Sequence, residues 1–145
     1  MTSKEFGNFG ESVACGYLEG KGYKIVSRNY YVKYGELDIV AENDKVIAFV
    51  EVKTRYGGKS LQYYGRPAKA VDQHKQNAVA RSAKQYLFDN PTTLQPRLDV
   101  IEVTVVNHFD TNGHLWYFIE DINHIENAFW ASSRARFGKS DNRLL

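Results

Sequence analysis

Two segments constrain this 145-residue chain most: Gly35-Glu36-Leu37-Asp38-Ile39-Val40 and Phe49-Val50-Glu51-Val52-Lys53-Thr54-Arg55. They belong to two strand-like runs, Glu36 to Glu42 and Lys45 to Thr54, separated by Asn43-Asp44, a hairpin signal weaker than Asn-Gly. With Asn43 and Asp44 as the turn, Glu42 pairs with Lys45, Asp38 faces Phe49 and Glu36 faces Glu51. Strand side chains alternate between faces. One face then carries Leu37, Ile39, Ala41, Val46, Ala48, Val50 and Val52, every one apolar, and the other presents Glu36, Asp38, Glu51 and Lys53. A one-residue slip would bury the acids and expose the apolar layer, so the pattern specifies the pairing. A four-residue turn preserves this parity; a three-residue turn destroys it.

The polar face admits two readings. One is an exposed sheet surface laced with cross-strand salt bridges. The other is a metal site, because Asp38 and Glu51 lie diagonally within reach of a common ion. Carboxylates that close repel and raise each other's pKa unless a cation intervenes. Oxygen-only ligands select a hard cation such as Mg²⁺ or Mn²⁺. Lys53 adds an ammonium beside the pair, and two carboxylates, a metal and a lysine can together hydrolyse a phosphodiester.

Around this hairpin the chain reads as one domain in the order helix, three strands, helix, two strands. The first helix covers about Lys4 to Glu19, with Phe6, Phe9, Val13 and Tyr17 at helical spacing and Gly20 and Gly22 as stops. Tyr23 to Val32 is the first strand. Arg55 to Arg66, rich in Gly and Tyr, reads as a surface loop. A second helix runs from Pro67 to about Phe88, with Ala70, Val71, His74, Ala78, Ala83 and Leu87 as its packing face. Arg97 to Asn107 and Leu115 to Ile119 are the last strands, joined by a turn at Asp110 to Gly113, and a short helix is expected around Ile122 to Trp130. A meander followed by a crossover helix predicts an α/β fold with a mixed sheet flanked by helices. The folded domain is expected over 1–130, with 131–145 a flexible basic tail.

Charge is segregated. Val52 to Arg97 holds nine Lys/Arg against two acids, whereas Leu98 to Ser133 holds six acids and no Lys/Arg. Such a basic stretch suits a polyanion, and a solvated helix face explains it equally well. Arg55, Lys59, Arg66 and Lys75 are the candidates for nucleic-acid backbone contacts. Tyr56, Tyr63 and Tyr64 offer rings for stacking on unpaired bases or for packing the loop. Asp99 is expected to anchor Arg97 or a helix end. The single Cys15 excludes an internal disulfide framework, and the four histidines lack zinc-ligand spacing. No phosphate-binding glycine motif points to a nucleotide cofactor. No apolar run is long enough to span a membrane and no secretory leader stands at the start, so a cytoplasmic location is expected.

Several short motifs extend the pattern over nearly the whole chain. They are Gly10-Glu11 with Ala14 and Tyr17-Leu18, Gly22-Tyr23, Arg28-Asn29, Gly35-Glu36-Leu37-Asp38, Phe49 through Arg55, Lys75, Arg97-Leu98-Asp99-Val100, and His124-Ile125-x-Asn127-Ala128-Phe129. Together they resemble the small bacterial YraN family, and Asp38 with Glu51-x-Lys53 resembles the core of the PD-(D/E)xK nucleases. The resemblance implies a restriction-endonuclease-like fold similar to archaeal Holliday-junction resolvases. It implies metal ligation by Asp38, Glu51 and the Val52 carbonyl, and a catalytic role for Lys53. It further implies that Glu11 approaches the metal from the first helix; read from the residues alone, Glu11 is as readily a solvated helix position. The superfamily's proline before the aspartate is replaced here by Leu37. Gly10, a costly helix residue, suggests a close backbone approach beside Glu11.

The expected function is therefore a Mg²⁺- or Mn²⁺-dependent endonuclease acting on DNA, with branched or flapped substrates in view. Its rival is a catalytically inactive nucleic-acid-binding or assembly module on the same fold. The blandest alternative is a protein-interaction domain that forms a homodimer through the acidic C-terminal third.

Overall fold

The computed structural model describes residues 1–58 and 71–128. Its elements are α1 (Ser3–Gly20), β1 (Lys24–Val32), β2 (Gly35–Glu42), β3 (Val46–Tyr56), α2 (Gln73–Asp89), β4 (Gln95–Phe109) and β5 (Leu115–Ile125). They build one five-stranded sheet in chain order, β1 to β5. The pairs are antiparallel except β3 with β4, which run parallel across the α2 crossover. The expected α/β architecture, in the order αβββαββ, is the observed one.

Among the described residues, each face of the sheet carries one helix. Ala14 and Leu18 of α1 pack with Ile39, Ala41, Ala48, Val50, Ile101, Val103 and Val105. Val79, Ala80, Ala83 and Leu87 of α2 pack with Val40, Ile47, Phe49, Leu98 and Val100. Both faces of β3 are thus covered, as a strand with a parallel neighbour requires. The helix starts are capped locally. Thr2 accepts the Glu5 N–H at 3.1 Å while Glu5 accepts the Thr2 N–H at 2.8 Å, and Asp72 accepts the Lys75 N–H at 2.8 Å.

Four local expectations are corrected. The β2–β3 turn is longer than Asn43-Asp44: Asn43 Oδ1 accepts from the N–H groups of Lys45 and Val46 at 2.9 and 2.8 Å, so Glu42 pairs with Ile47 rather than Lys45. The second helix begins at Gln73 behind the Asp72 cap, not at Pro67, which lies outside the described residues. Its buried side is Val79, Ala80, Ser82, Ala83, Tyr86 and Leu87, leaving the expected His74 exposed. Finally, Ile122 to Ile125 is strand rather than helix, because β5 continues past a bulge at Glu120 and pairs Ile122 to Ile125 with Val103 to Val100.

Asp99 anchors that last stretch. Fully buried, it binds the Arg97 guanidinium at 2.9 Å, His124 Nε2 at 2.8 Å and the Asn127 N–H at 3.1 Å. Burial alone would raise the Asp99 pKa, but the hydrogen bonds from His124 and Arg97 outweigh it and hold the carboxyl below its ordinary value. The remainder of the chain, 129–145, including the expected basic tail, lies outside the described residues.

Candidate functional site

The longer turn changes where the acids meet. The β2–β3 ladder ends at the Ile39–Val50 pair, one residue short of Asp38 and Glu51, which its register would otherwise set opposite each other rather than diagonally. Beyond that pair the strands separate. Asp38 Oδ2 accepts the Val52 N–H at 2.9 Å, taking the place of a main-chain carbonyl. A side chain has thus replaced backbone in the ladder, which fixes Asp38 against β3.

Strand alternation also breaks at this point. Ile39 packs on the α1 side, but Leu37 joins the α2 cluster with Val40, instead of lying with Ile39 as regular alternation requires. The opposing residue of β1, Asn29, lies between Arg28 and Tyr30, the partners of Ile39 and Leu37, and has a left-handed φ of 51°. Asn tolerates that conformation better than most residues do. The four polar residues therefore do not share one flat face. They gather where the strands diverge, with Glu36 and Asp38 reaching towards α1 and Glu51 towards α2.

On the α1 side, carboxylate oxygens of Glu11, Glu36 and Asp38 all lie within 4.8 Å of one another. Glu11 is held there by helix placement. A Cβ on Gly10 would stand 1.8 Å from Thr54 Oγ1, so only glycine lets α1 approach β3 this closely, as its cost in a helix suggested. Arg28 lies 3.8 Å from Glu11. With its amide oriented to donate, Asn29 reaches Glu11 Oε1 at 3.0 Å and Glu36 Oε1 at 2.6 Å. Burial first, then the Asp38 charge, raises the Glu11 pKa.

On the α2 side, Glu51 is only 5% exposed and meets Lys75 Nζ at 3.4 Å. Burial, the Asp38 charge and a hydrogen bond with Asp38 push its pKa from 4.5 up to about 8, against the opposing pull of Lys75. Asp38, Glu51, Val52, Lys53, Val71, Asp72 and Lys75 line a cleft of about 500 Å³. Two contiguous acids on the wall of an open cleft, with one amine paired to them, are under-neutralised. An oxygen-only donor set of this kind fits a hard divalent cation, whose charge would release the proton from Glu51.

The fold thus brings Asp38, Glu51, Val52 and Lys53 into one cleft and sets Glu11 beside Asp38. Lys75 is in the cleft too, but as the partner of Glu51. Arg55 is not among the cleft-lining residues, and its Nε is buried without a hydrogen-bond partner. Lys59, Arg66, Tyr63 and Tyr64 fall outside the described residues. Tyr56 stacks on Phe6 with centroids 4.1 Å apart, so it packs α1 against the sheet. The residue the sequence reading passed over is Asn29. Its signal was the Arg28-Asn29 motif, but a left-handed residue inside a strand has no local pattern of its own.

The model of the uncharacterised protein family UPF0102 matches residues 10–103, from the glycine before Glu11 into β4. A UPF0102 protein of Caldanaerobacter subterraneus is 40% identical over 130 residues, covering 89% of this chain and 98% of its own. One from Alkaliphilus oremlandii is 39% identical over 130 residues, covering 88% and 99%. One from Clostridium botulinum is 39% identical over 112 residues, covering 76% and 87%. With the match spanning both acids, Lys53 and the elements that position them, the chain belongs to the uncharacterised family UPF0102.

Proposed function

We propose that this protein is a Mg²⁺- or Mn²⁺-dependent endonuclease of the PD-(D/E)xK type that hydrolyses phosphodiester bonds in DNA. The observation that carries the reading is the buried contact between Asp38 and Glu51 in a cleft that Lys53 also lines. Asp38, Glu51 and the Val52 carbonyl would hold the ion, with Glu11 approaching from α1. A bound ion would supply Lewis acidity towards the phosphoryl oxygen and would lower the pKa of water.

The chain's own residues do the rest. Lys53 places an ammonium in the cleft, where charge developing on the phosphoryl group would meet it. The Val52 N–H fixes the Asp38 carboxylate, so a ligand oxygen is oriented before substrate arrives. Lys75 offsets the charge on Glu51. The basic stretch from Val52 to Arg97, with Arg55, Lys59 and Arg66 among its cations, supplies a field that attracts a polyanion.

The test is cleavage of labelled duplex, flapped and branched DNA with Mg²⁺, Mn²⁺ or EDTA. Glu51→Ala and Lys53→Ala should each abolish metal-dependent cleavage while circular dichroism stays unchanged. Cleavage surviving in the double variant would refute the assignment. Salt-dependent DNA binding that is indifferent to Mg²⁺, with no cleavage by the wild type, would favour the inactive binding module.

A further inference from the structure

A second cavity, of about 210 Å³, lies between the β1–β2 turn and α2, lined by Tyr34, His74, Asn77, Ala78 and Arg81. We propose that it is a subsite for one unpaired nucleotide of the DNA strand entering the Asp38–Glu51 cleft, its base against Tyr34 and its phosphate on Arg81 and Lys33. This deepens the nuclease reading and rests on it for the identity of the polymer.

The chemistry of the lining is specific. Among the described residues no carboxylate lines the cavity, and two cations, Arg81 of the lining and Lys33 outside it, meet one aromatic ring: Arg81 Cζ lies 5.5 Å from the Tyr34 centroid and Lys33 Nζ 5.8 Å. Tyr34 is 42% exposed. Tyr30 and Phe49 pack against Tyr86 and the Tyr31 hydroxyl bonds Glu36. Tyr34 instead meets these two cations, one of which a stacking base would displace from the ring face towards the nucleotide's phosphate. Asn77 Oδ1 accepts from Gln73 Nε2 at 2.9 Å, which turns the Asn77 amide N–H groups into the donors a base acceptor would meet. A ring to stack on, a directional amide and paired cations are the elements of single-strand recognition.

Position and size narrow the ligand. Lys75 lines the cleft, and Arg81 follows it on the same helix by six positions, about 9 Å along the axis. An unpaired strand stretches beyond the duplex spacing of about 3.4 Å per phosphate, so at most about three nucleotides cover that axial distance. The cavity is smaller than the roughly 300–1,000 Å³ of sites for drug-sized ligands, enough for one flat ring. A duplex hides its base faces; only a flap, gap or branch offers one.

The test compares binding of a blunt duplex with the same duplex bearing a short single-stranded flap that contains a fluorescent adenine analogue. Both are measured in EDTA and in Ca²⁺, so no cleavage is needed. Wild type should prefer the flapped DNA and quench the analogue. Tyr34→Ala and Arg81→Ala should weaken flap binding about tenfold and remove the quenching, whereas Tyr34→Phe keeps both. Blunt-duplex binding should stay within about twofold in Tyr34→Ala. Equal wild-type affinity for the two DNAs, equal loss on both in Tyr34→Ala, or no DNA binding at all would overturn the subsite. A flap preference in a protein that cleaves nothing would retain the subsite and sink the nuclease. Cleavage abolished by Lys53→Ala, with flap binding indifferent to Tyr34→Ala, would sink the subsite alone.

Discussion

Replacing Glu51 with Gln should stabilise the metal-free protein, and the gain should grow with pH. Glu51 is buried beside Asp38 and its pKa is pushed from 4.5 up to about 8. Between those values the folded protein holds a proton that the unfolded chain releases. Stability therefore falls as pH rises through this window and levels off above it. At about 1.4 kcal/mol per pH unit the window sets a ceiling of roughly 5 kcal/mol. Relaxation and water entry lower that, so about 2 to 4 kcal/mol is the expected gap at pH 8. Gln keeps the shape and can donate to Asp38 without titrating. Urea unfolding in EDTA, followed by tryptophan fluorescence from pH 5 to 9, measures the difference directly. The two proteins should be nearly equal at pH 5 and diverge above it. Added Mn²⁺ should stabilise wild type and leave Glu51→Gln unmoved, because ion binding to the native state adds stability only where the ligands exist. A Gln variant less stable than wild type at every pH, or a gap indifferent to pH, would refute the reasoning.

Two further substitutions test the scaffold. Gly10→Ala should destabilise by about 1–3 kcal/mol and lower the melting temperature by several degrees, because the new Cβ meets Thr54 at 1.8 Å; a thermal melt checks it, and Thr54→Ala should recover part of the loss. Asp99→Ala should cost about 3–5 kcal/mol in urea unfolding, since it leaves Arg97 and His124 buried without their shared acceptor. Because the Asp99 pKa is lowered in the fold, its contribution is present above its unfolded value and fades as pH falls through the folded one. Wild type should therefore lose more stability than Asp99→Asn on acidification below about pH 4.

The alternation of Ile39 to Val52 was legible because a period of two is written residue by residue. Gly10 was legible for the same local reason, a poor helix former placed where two backbones touch. Turn length was not, since Asn43 holds a four-residue turn through two side-chain hydrogen bonds that the Asn-Asp pair does not announce. That one difference shifted the register by two residues, so Glu42 meets Ile47 and the ladder ends just before Asp38 and Glu51. The break in alternation at Asp38 depends on a left-handed Asn29 in the neighbouring strand, a tertiary event. Ile122 to Ile125 reads as helix locally, and becomes strand only because β4 offers an edge and Asp99 a buried anchor for His124. Tyr34 carried no signal until α2 placed Arg81 beside it.

Crystals soaked in Mn²⁺ and recorded at an anomalous wavelength put the chemistry to its shortest test. One strong anomalous peak bridging the side-chain oxygens of Asp38 and Glu51, and lost in Glu51→Gln, is the expected result. A map with no peak there at saturating Mn²⁺, or one unchanged by that substitution, would contradict the two-carboxylate metal centre on which the nuclease proposal stands.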